Sequence, residues 1–133
     1  MAVFMVEWMK VYVYIVMVLL LITKLFDVLS TINRIQHPSI ETNPIAQKLM
    51  IRFGIGKTAW GVFGFVTVII LIAGEIALDS HQYIKILFII FGLFLSIVQF
   101  AVAHNNWTRR TNFITKLILR YHSRIQKLLK RRI

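Results

Sequence analysis

Three long apolar runs, at about residues 8–26, 58–77 and 83–104, constrain this chain more than any motif does. Each run is close to the roughly 20 residues that an α-helix needs to cross a hydrocarbon layer about 30 Å thick. The second run is free of charge until Glu75, and the third holds only Lys85. We therefore predict an all-α membrane protein with three transmembrane helices.

The composition leaves little room for any other class of protein. Of the 133 residues, 58% are hydrophobic and 16% are charged, whereas soluble domains have about 45–50% apolar and about 25% charged residues. A separate catalytic domain of roughly 100–150 residues does not fit outside the runs. The chain has no Cys, which excludes disulfides, thiolate metal sites and Cys nucleophiles. We expect one transmembrane domain, residues 1–106, followed by a tail, residues 107–133.

The first run is expected to remain in the protein as a span. Residues 1–9 include Glu7 and no basic residue, so the positive region that opens a signal peptide is missing. The apolar stretch also continues to Ile22 without an Ala-x-Ala-like cleavage site.

Basic residues predict the orientation of the spans. The turn before the third span carries Glu75 and Asp79 and no Lys or Arg, whereas residues 107–133 hold nine Lys or Arg and no acid. Lys and Arg are in excess on the cytoplasmic side of a membrane. The first loop and the tail are therefore expected to be cytoplasmic, with the N-terminus outside. The basic residues of the first loop are Arg34, Lys48, Arg52 and Lys57.

The first loop is predicted to contain a short helix that lies along the membrane interface. Asn43 followed by Pro44 is typical of a helix start, and Gly54 is typical of a helix end. We expect Thr58 to cap the second span after this helix.

The tail is predicted to form a basic amphipathic helix. Its apolar residues recur at spacings of three and four, the period of a helix face, and they are Ile114, Leu117, Ile118, Tyr121, Ile125, Leu128 and Leu129. The basic residues occupy much of the remaining surface. The side chains expected to bind lipid or a partner are Arg109, Arg110, Lys116, Arg120, Arg124, Lys127, Lys130, Arg131 and Arg132.

Polar residues near the span ends form a candidate site. Asp27 lies three residues after Lys24, so it is either half of a structural ion pair or part of a functional site. The predicted polar cluster consists of Asp27, Thr31, Glu41, Asn43, Lys57, His104 and Asn105. No metal or other cofactor and no catalytic residue is predicted. The weak metal candidates, His37, Glu41 and His104, have no recognised ligand spacing.

Small and polar residues in the second and third spans favour helix packing over a substrate path. Small residues let helix backbones approach each other, and Ser or Gln can hydrogen-bond between helices. The third span carries Gly92, Ser96, Gln99 and Ala103, and the second carries Gly61, Gly64, Thr67, Ala73, Gly74 and Ala77.

Part of the chain, mainly residues 25–57, resembles a known family. The residues that carry the resemblance are Asp27, Ser30 and Thr31, then Glu41, Asn43 and Pro44, then Lys57, with His104 and Asn105 matching a later polar position. Together they resemble small multi-pass membrane proteins catalogued as domain of unknown function 5658. The resemblance implies a membrane fold with a polar cluster at one face, and it implies no activity. It does not account for the basic tail.

We interpret the chain as a non-catalytic accessory or scaffolding subunit of a larger membrane complex. The expected partners are the bilayer, other membrane subunits in a hetero-oligomer and anionic lipid headgroups, with nucleic acid the least favoured. An alternative is an oligomeric transporter of ions or small molecules with Asp27, Gln99 and His104 along its path. A less favoured one is an intramembrane enzyme that uses Asp27, Glu41 and His104.

Overall fold

The computed structural model describes residues 1–109 and 113–130 of the protein. This part is helical and contains no strand. Its elements are α1 (Ala2–Arg34), a 3-10 helix (Pro38–Ile40), α2 (Pro44–Phe53), α3 (Ile55–Asp79), α4 (Gln82–Thr108) and α5 (Phe113–Lys130). Three helices are long and apolar enough to cross a membrane, over Glu7–Arg34, Ile55–Asp79 and Gln82–Thr108. The prediction of an all-α membrane protein with three spans, a short loop helix and a C-terminal helix is confirmed.

The boundaries of α2 are set by its capping residues. The Asn43 side chain accepts hydrogen bonds from the backbone N–H groups of Ile45 and Ala46, which have no partner within the helix. Gly54 ends α2 with a φ of 90° and at once begins α3. Because this backbone conformation strains any residue with a Cβ, a glycine is required there. The expectation that Thr58 caps the second span is therefore wrong, since α3 begins at Ile55.

Helix α1 lies between the other two spans. It packs most extensively on α4 and also on α3, whereas α3 and α4 make few contacts with each other although a two-residue turn joins them. One end of the bundle, where α1 and α4 finish and α3 begins, carries Arg34, Lys57 and Arg109. We call it the basic end, and we call the opposite end, at Ser80 and His81, the hairpin end.

Lys85 closes the hairpin end. Its side chain is only 5% exposed, and its ammonium group donates a hydrogen bond to the backbone carbonyl of Ser80, the residue that caps α3. A positive charge at a helix C-terminus interacts favourably with the partial negative charge of the terminal carbonyls. Lys85, the single charged residue of the third apolar run, thus links the end of α3 to α4.

Helices α1 and α4 run parallel in a constant register. Val16 faces Gly92, Thr23 contacts Gln99, and Ser30 contacts Asn106, and the two residues of each pair are 76 positions apart. A constant difference in residue number requires parallel helices, because antiparallel helices would show a constant sum. Successive pairs are seven residues apart on both helices, which is the heptad period of knobs-into-holes packing.

The apolar core lies towards the hairpin end. It is formed by Val13, Val16, Met17 and Leu20 of α1 with Ile70, Ala77 and Leu78 of α3. Two glycines make room for α1: a Cβ at Gly92 would overlap Val16, and a Cβ at Gly74 would overlap Met17. Since lipid tails are as apolar as the core, such close backbone approach and the van der Waals contact it allows hold the helices together.

We expect Gly92→Ala to lower the free energy of unfolding by about 1–3 kcal/mol, the usual cost of overpacking. The added methyl group would displace Val16 and separate α1 from α4. Unfolding should be followed by circular dichroism in mild detergent with increasing sodium dodecyl sulfate. The matched control is Gly64→Ala, in which the new methyl group meets nothing within 4 Å.

Both substitutions raise helix propensity equally, so their difference isolates the contact with Val16. Adding Val16→Ala to Gly92→Ala should restore part of the lost stability. Equal unfolding of the Gly92 and Gly64 variants would contradict this account of the packing.

Candidate functional site

Polar side chains join α1 and α4 between the apolar core and the basic end. The heptad register brings these side chains together, because the polar residues of α1 and α4 follow the same spacing. We call the group the polar interface, and its members are Thr23, Ser30, Thr31, Arg34, Gln99 and Asn106. It has two layers, which are separated by seven residues along each helix.

The layer nearer the core is a single pair. The hydroxyl of Thr23 lies 2.7 Å from Oε1 of Gln99. It also lies 2.9 Å and 3.2 Å from the backbone carbonyl oxygens of Leu19 and Leu20 in its own helix. Because a hydroxyl holds one proton, it can donate to only one of these oxygens at a time. Thr23 is buried and Gln99 is partly buried, so this contact is made away from water.

The layer nearer the basic end is centred on the buried side chain of Asn106. Its Oδ1 accepts a hydrogen bond of 2.7 Å from Nη1 of Arg34. Its Nδ2 donates to the hydroxyls of Ser30 and Thr31, over 3.3 Å and 3.5 Å. Ser30 is fully buried, at 0% exposure, and itself donates to the backbone carbonyl of Asp27. One amide of α4 thus contacts three side chains on the last two turns of α1.

Lys24 and Asp27 form an ion pair of 2.6 Å within α1. The two side chains are 14% and 17% exposed, so each charge is largely removed from water and neutralised by the other. The predicted structural pair between these residues is therefore present. On insertion scales an unpaired carboxylate costs about 2.5–3.5 kcal/mol at mid-membrane, and less towards an interface.

The residues of the predicted polar cluster lie in several places. Thr31 belongs to the polar interface, Asp27 is paired with Lys24, and Asn105 is buried next to Asn106. His104 is exposed.

The other three members lie in or after the first loop. Asn43 caps α2, Glu41 accepts a hydrogen bond from the backbone N–H of Asn43, and Lys57 is exposed on the first turn of α3. Among the described residues, no hydrogen bond links these three to the polar interface. The structure thus divides the predicted cluster between the α1–α4 contact and the loop.

Two of the weak metal candidates, His37 and Glu41, have local roles in the same loop, and the third, His104, is exposed on α4. Nδ1 of His37 accepts a hydrogen bond from the backbone N–H of Ser39, which caps the 3-10 helix. Within residues 1–109 and 113–130, no group of three His, Asp or Glu side chains is arranged to hold a metal ion.

The predicted cluster left out five members of the polar interface, which are Thr23, Ser30, Arg34, Gln99 and Asn106. A signal for them exists in the sequence, because Thr23 and Ser30 are seven residues apart on α1, as are Gln99 and Asn106 on α4. The equal spacing predicts contacts between these residues only once α1 and α4 are known to pack in parallel.

The polar interface fixes the register of α1 on α4. Its groups are hydroxyls, amides and one guanidinium. Arg34 uses one of its N–H donors on Asn106 and is otherwise exposed.

Helix α5 presents basic side chains and an uncovered apolar face. Arg109, which ends α4 with a left-handed φ of 53°, is exposed, and so are Lys116, Arg120, Arg124 and Lys127. Arg110, Arg131 and Arg132 lie outside the described residues, as do the side chains of Leu128, Leu129 and Lys130. The apolar residues on α5 that are exposed include Leu117, Ile118, Tyr121 and Ile125.

No family model, curated protein or solved structure matches the chain. The resemblance described above therefore stays a prediction, and the site is interpreted from its own geometry.

We expect Thr23→Val to lower the free energy of unfolding by about 0.6 kcal/mol, and by about 1.7 kcal/mol at most, the range measured for hydrogen bonds between transmembrane helices. Valine keeps the shape of threonine but leaves the Gln99 amide without its partner on α1. The measurement is unfolding in mixed detergent micelles.

Thr67→Val is the matched control on α3. The Thr67 hydroxyl is buried and has no hydrogen-bond partner among the described residues, so its removal should leave stability unchanged or raise it. If both threonines tolerate valine equally well, the Thr23–Gln99 contact contributes nothing to the packing of α1 on α4.

Proposed function

We propose that this protein is a non-catalytic integral membrane protein that acts as an accessory or scaffolding subunit of a larger membrane complex. In this proposal the three spans anchor the protein, and α5 docks on a partner subunit or on anionic lipid at the membrane surface. The chemistry of the polar interface supports a structural role for the spans, because its groups bond to one another.

The observation that carries the proposal is the uncovered apolar face of α5. Leu117 and Ile118 are each 40% exposed, and Ile125 and Tyr121 are 56% and 59% exposed. Within the described part of the chain, α5 makes its contacts chiefly with α4. An amphipathic helix gains its stability by burying its apolar face. We infer that a surface outside this chain covers that face.

The basic side chains of α5 indicate what kind of surface this is. Arg120 and Arg124 lie one turn apart and, with Leu117 and Tyr121, line a shallow depression of about 100 Å³. Guanidinium groups bind phosphate and carboxylate through paired hydrogen bonds. Anionic headgroups fit this arrangement, and so does an acidic groove on a partner subunit, which would hold the apolar face in a helix-in-groove contact.

The orientation we propose places α5 and the basic end in the cytoplasm. Lys and Arg near the ends of spans are retained on the cytoplasmic side. Arg34, Lys57 and Arg109 share the basic end, whereas the hairpin end carries Asp79 and the buried Lys85.

The bonding of Gln99 and Asp27 favours a scaffold over a transport path. Gln99 contacts Thr23, and Asp27 is paired with Lys24. A residue along a path for ions must instead exchange its partners with the passing ion.

The proposal is tested by comparing three forms of the protein in its native host. One lacks residues 111–133. One has an altered apolar face (Leu117→Gln, Ile118→Gln and Ile125→Gln), and one has an altered basic face (Arg120→Gln, Arg124→Gln and Lys127→Gln). The measurements are the mass of the native assembly in mild detergent and the retention of the spans in alkali-washed membranes.

We expect all forms to stay in the membrane, because the spans are intact. The truncated form and the apolar-face form should lose the larger assembly, since the buried apolar area is lost. A wild-type protein that migrates at the mass of a lone monomer would overturn the proposal of a complex. Assembly that survives the truncation would show that α5 is not the docking element.

A further inference from the structure

An open groove separates α2 from the first turns of α3, away from the polar interface. It encloses about 450 Å³, within the roughly 300–1,000 Å³ of ligand-binding clefts. Leu49 and Phe53 of α2 form one wall, and Phe65 of α3 forms the other. Gly61 lies between them, and a Cβ built on Gly61 meets nothing within 4 Å. The missing side chain therefore deepens the groove.

The groove is apolar along most of its length and basic at one end. Lys57 lines it at the first turn of α3 and, within the described residues, makes no ion pair or hydrogen bond. The guanidinium of Arg52 lies 5.3 Å from the centre of the Phe53 ring, a position typical of a cation–π contact. Because Phe53 is a wall of the groove, the positive charge of Arg52 lies beside that wall.

Thr58 supplies an independent sign of a ligand. It lines the groove next to Lys57 and is only 7% exposed. Its hydroxyl has no hydrogen-bond partner in the described part of the chain. Buried hydroxyls are nearly always paired, and Thr58, unlike the other unpartnered threonine, Thr67, lines the groove, so a ligand there can supply its partner.

We propose that this groove binds one anionic phospholipid of the bilayer. An acyl chain lies between Phe53 and Phe65 over Gly61, and the phosphate lies at Lys57 and Arg52. An ester or phosphate oxygen accepts the hydrogen bond of Thr58.

The membrane setting favours a lipid over a soluble ligand. The groove begins at the basic end, where α3 enters the predicted span, and follows the outer surface of that helix, where Phe65 is exposed. Phospholipids are the molecules present at that depth, with a phosphate at the interface and chains below it. Lys57 and Arg52, which form no ion pair in the described part of the chain, then favour a net negative headgroup.

The proposal is tested by native mass spectrometry of the full chain in detergent. The protein is titrated with phosphatidylglycerol and, in parallel, with phosphatidylcholine of the same acyl chains. Gly61→Leu fills the groove at a position with open space, so the fold is preserved. Gly64→Leu is the matched control, since it adds the same side chain to the same helix at an open glycine that does not line the groove.

We expect Gly61→Leu to weaken the tightest phosphatidylglycerol site by about tenfold or more and Gly64→Leu to leave it unchanged. Lys57→Gln should weaken it about fivefold, which corresponds to the roughly 1 kcal/mol of one basic residue near a lipid surface. The same variant should leave phosphatidylcholine binding unaltered. All forms are compared in the background of the α5 basic-face variant, so that lipid bound to α5 does not obscure the result.

Three outcomes would overturn the proposal. The first is equal affinity of the wild-type protein for the two lipids. The second is an equal effect of leucine at positions 61 and 64. The third is the capture of a polypeptide instead of lipid by a photoreactive phenylalanine analogue in place of Phe65, which lines the groove.

Discussion

The parallel contact between α1 and α4 holds the spans of this protein together, because lipid provides no hydrophobic force that would drive helices into each other. Its strength comes from the close approach of the two helix backbones. Gly92 admits Val16, and the small buried residues Ser96 and Ala103 continue the same face of α4. Helix α3 also packs on α1, since its buried residues Ile70 and Leu78 belong to the apolar core formed with α1. Removing α1 would leave α3 and α4 joined by little more than their turn.

The two halves of α1 contribute in different ways. The half near the hairpin end supplies close packing, in which Val16 fits against Gly92. The half near the basic end supplies hydrogen bonds, and a displacement of one residue would separate Thr23 from Gln99 and Asn106 from Ser30. Close packing thus provides affinity between the helices, and both halves select the same register.

Local features of this fold were predictable from the sequence, and contacts between distant segments were not. Hydropathy predicts the spans because the insertion of each apolar run depends on its own residues. Asn43 and Gly54 predict the ends of α2 because capping involves only neighbouring residues. The polar interface depends on how two segments 76 residues apart are aligned, which no local pattern specifies. The predicted cluster therefore included Glu41 and Lys57, because the topology places them at the same end of the spans as the end of α4. It left out Arg34 and Asn106. The cap expected at Thr58 is wrong because Gly54 both ends α2 and begins α3, and one local pattern cannot show that a residue has both roles.

Gly54 has a mechanical consequence as well as a conformational one. It is the whole connection along the chain between α2 and α3, so a change in the angle between them must pass through its backbone conformation. Transmembrane helices tilt to match the thickness of the surrounding bilayer. Any change in the tilt of α3 must therefore either rotate α2 against the membrane surface or be absorbed by the two dihedral angles of a single residue.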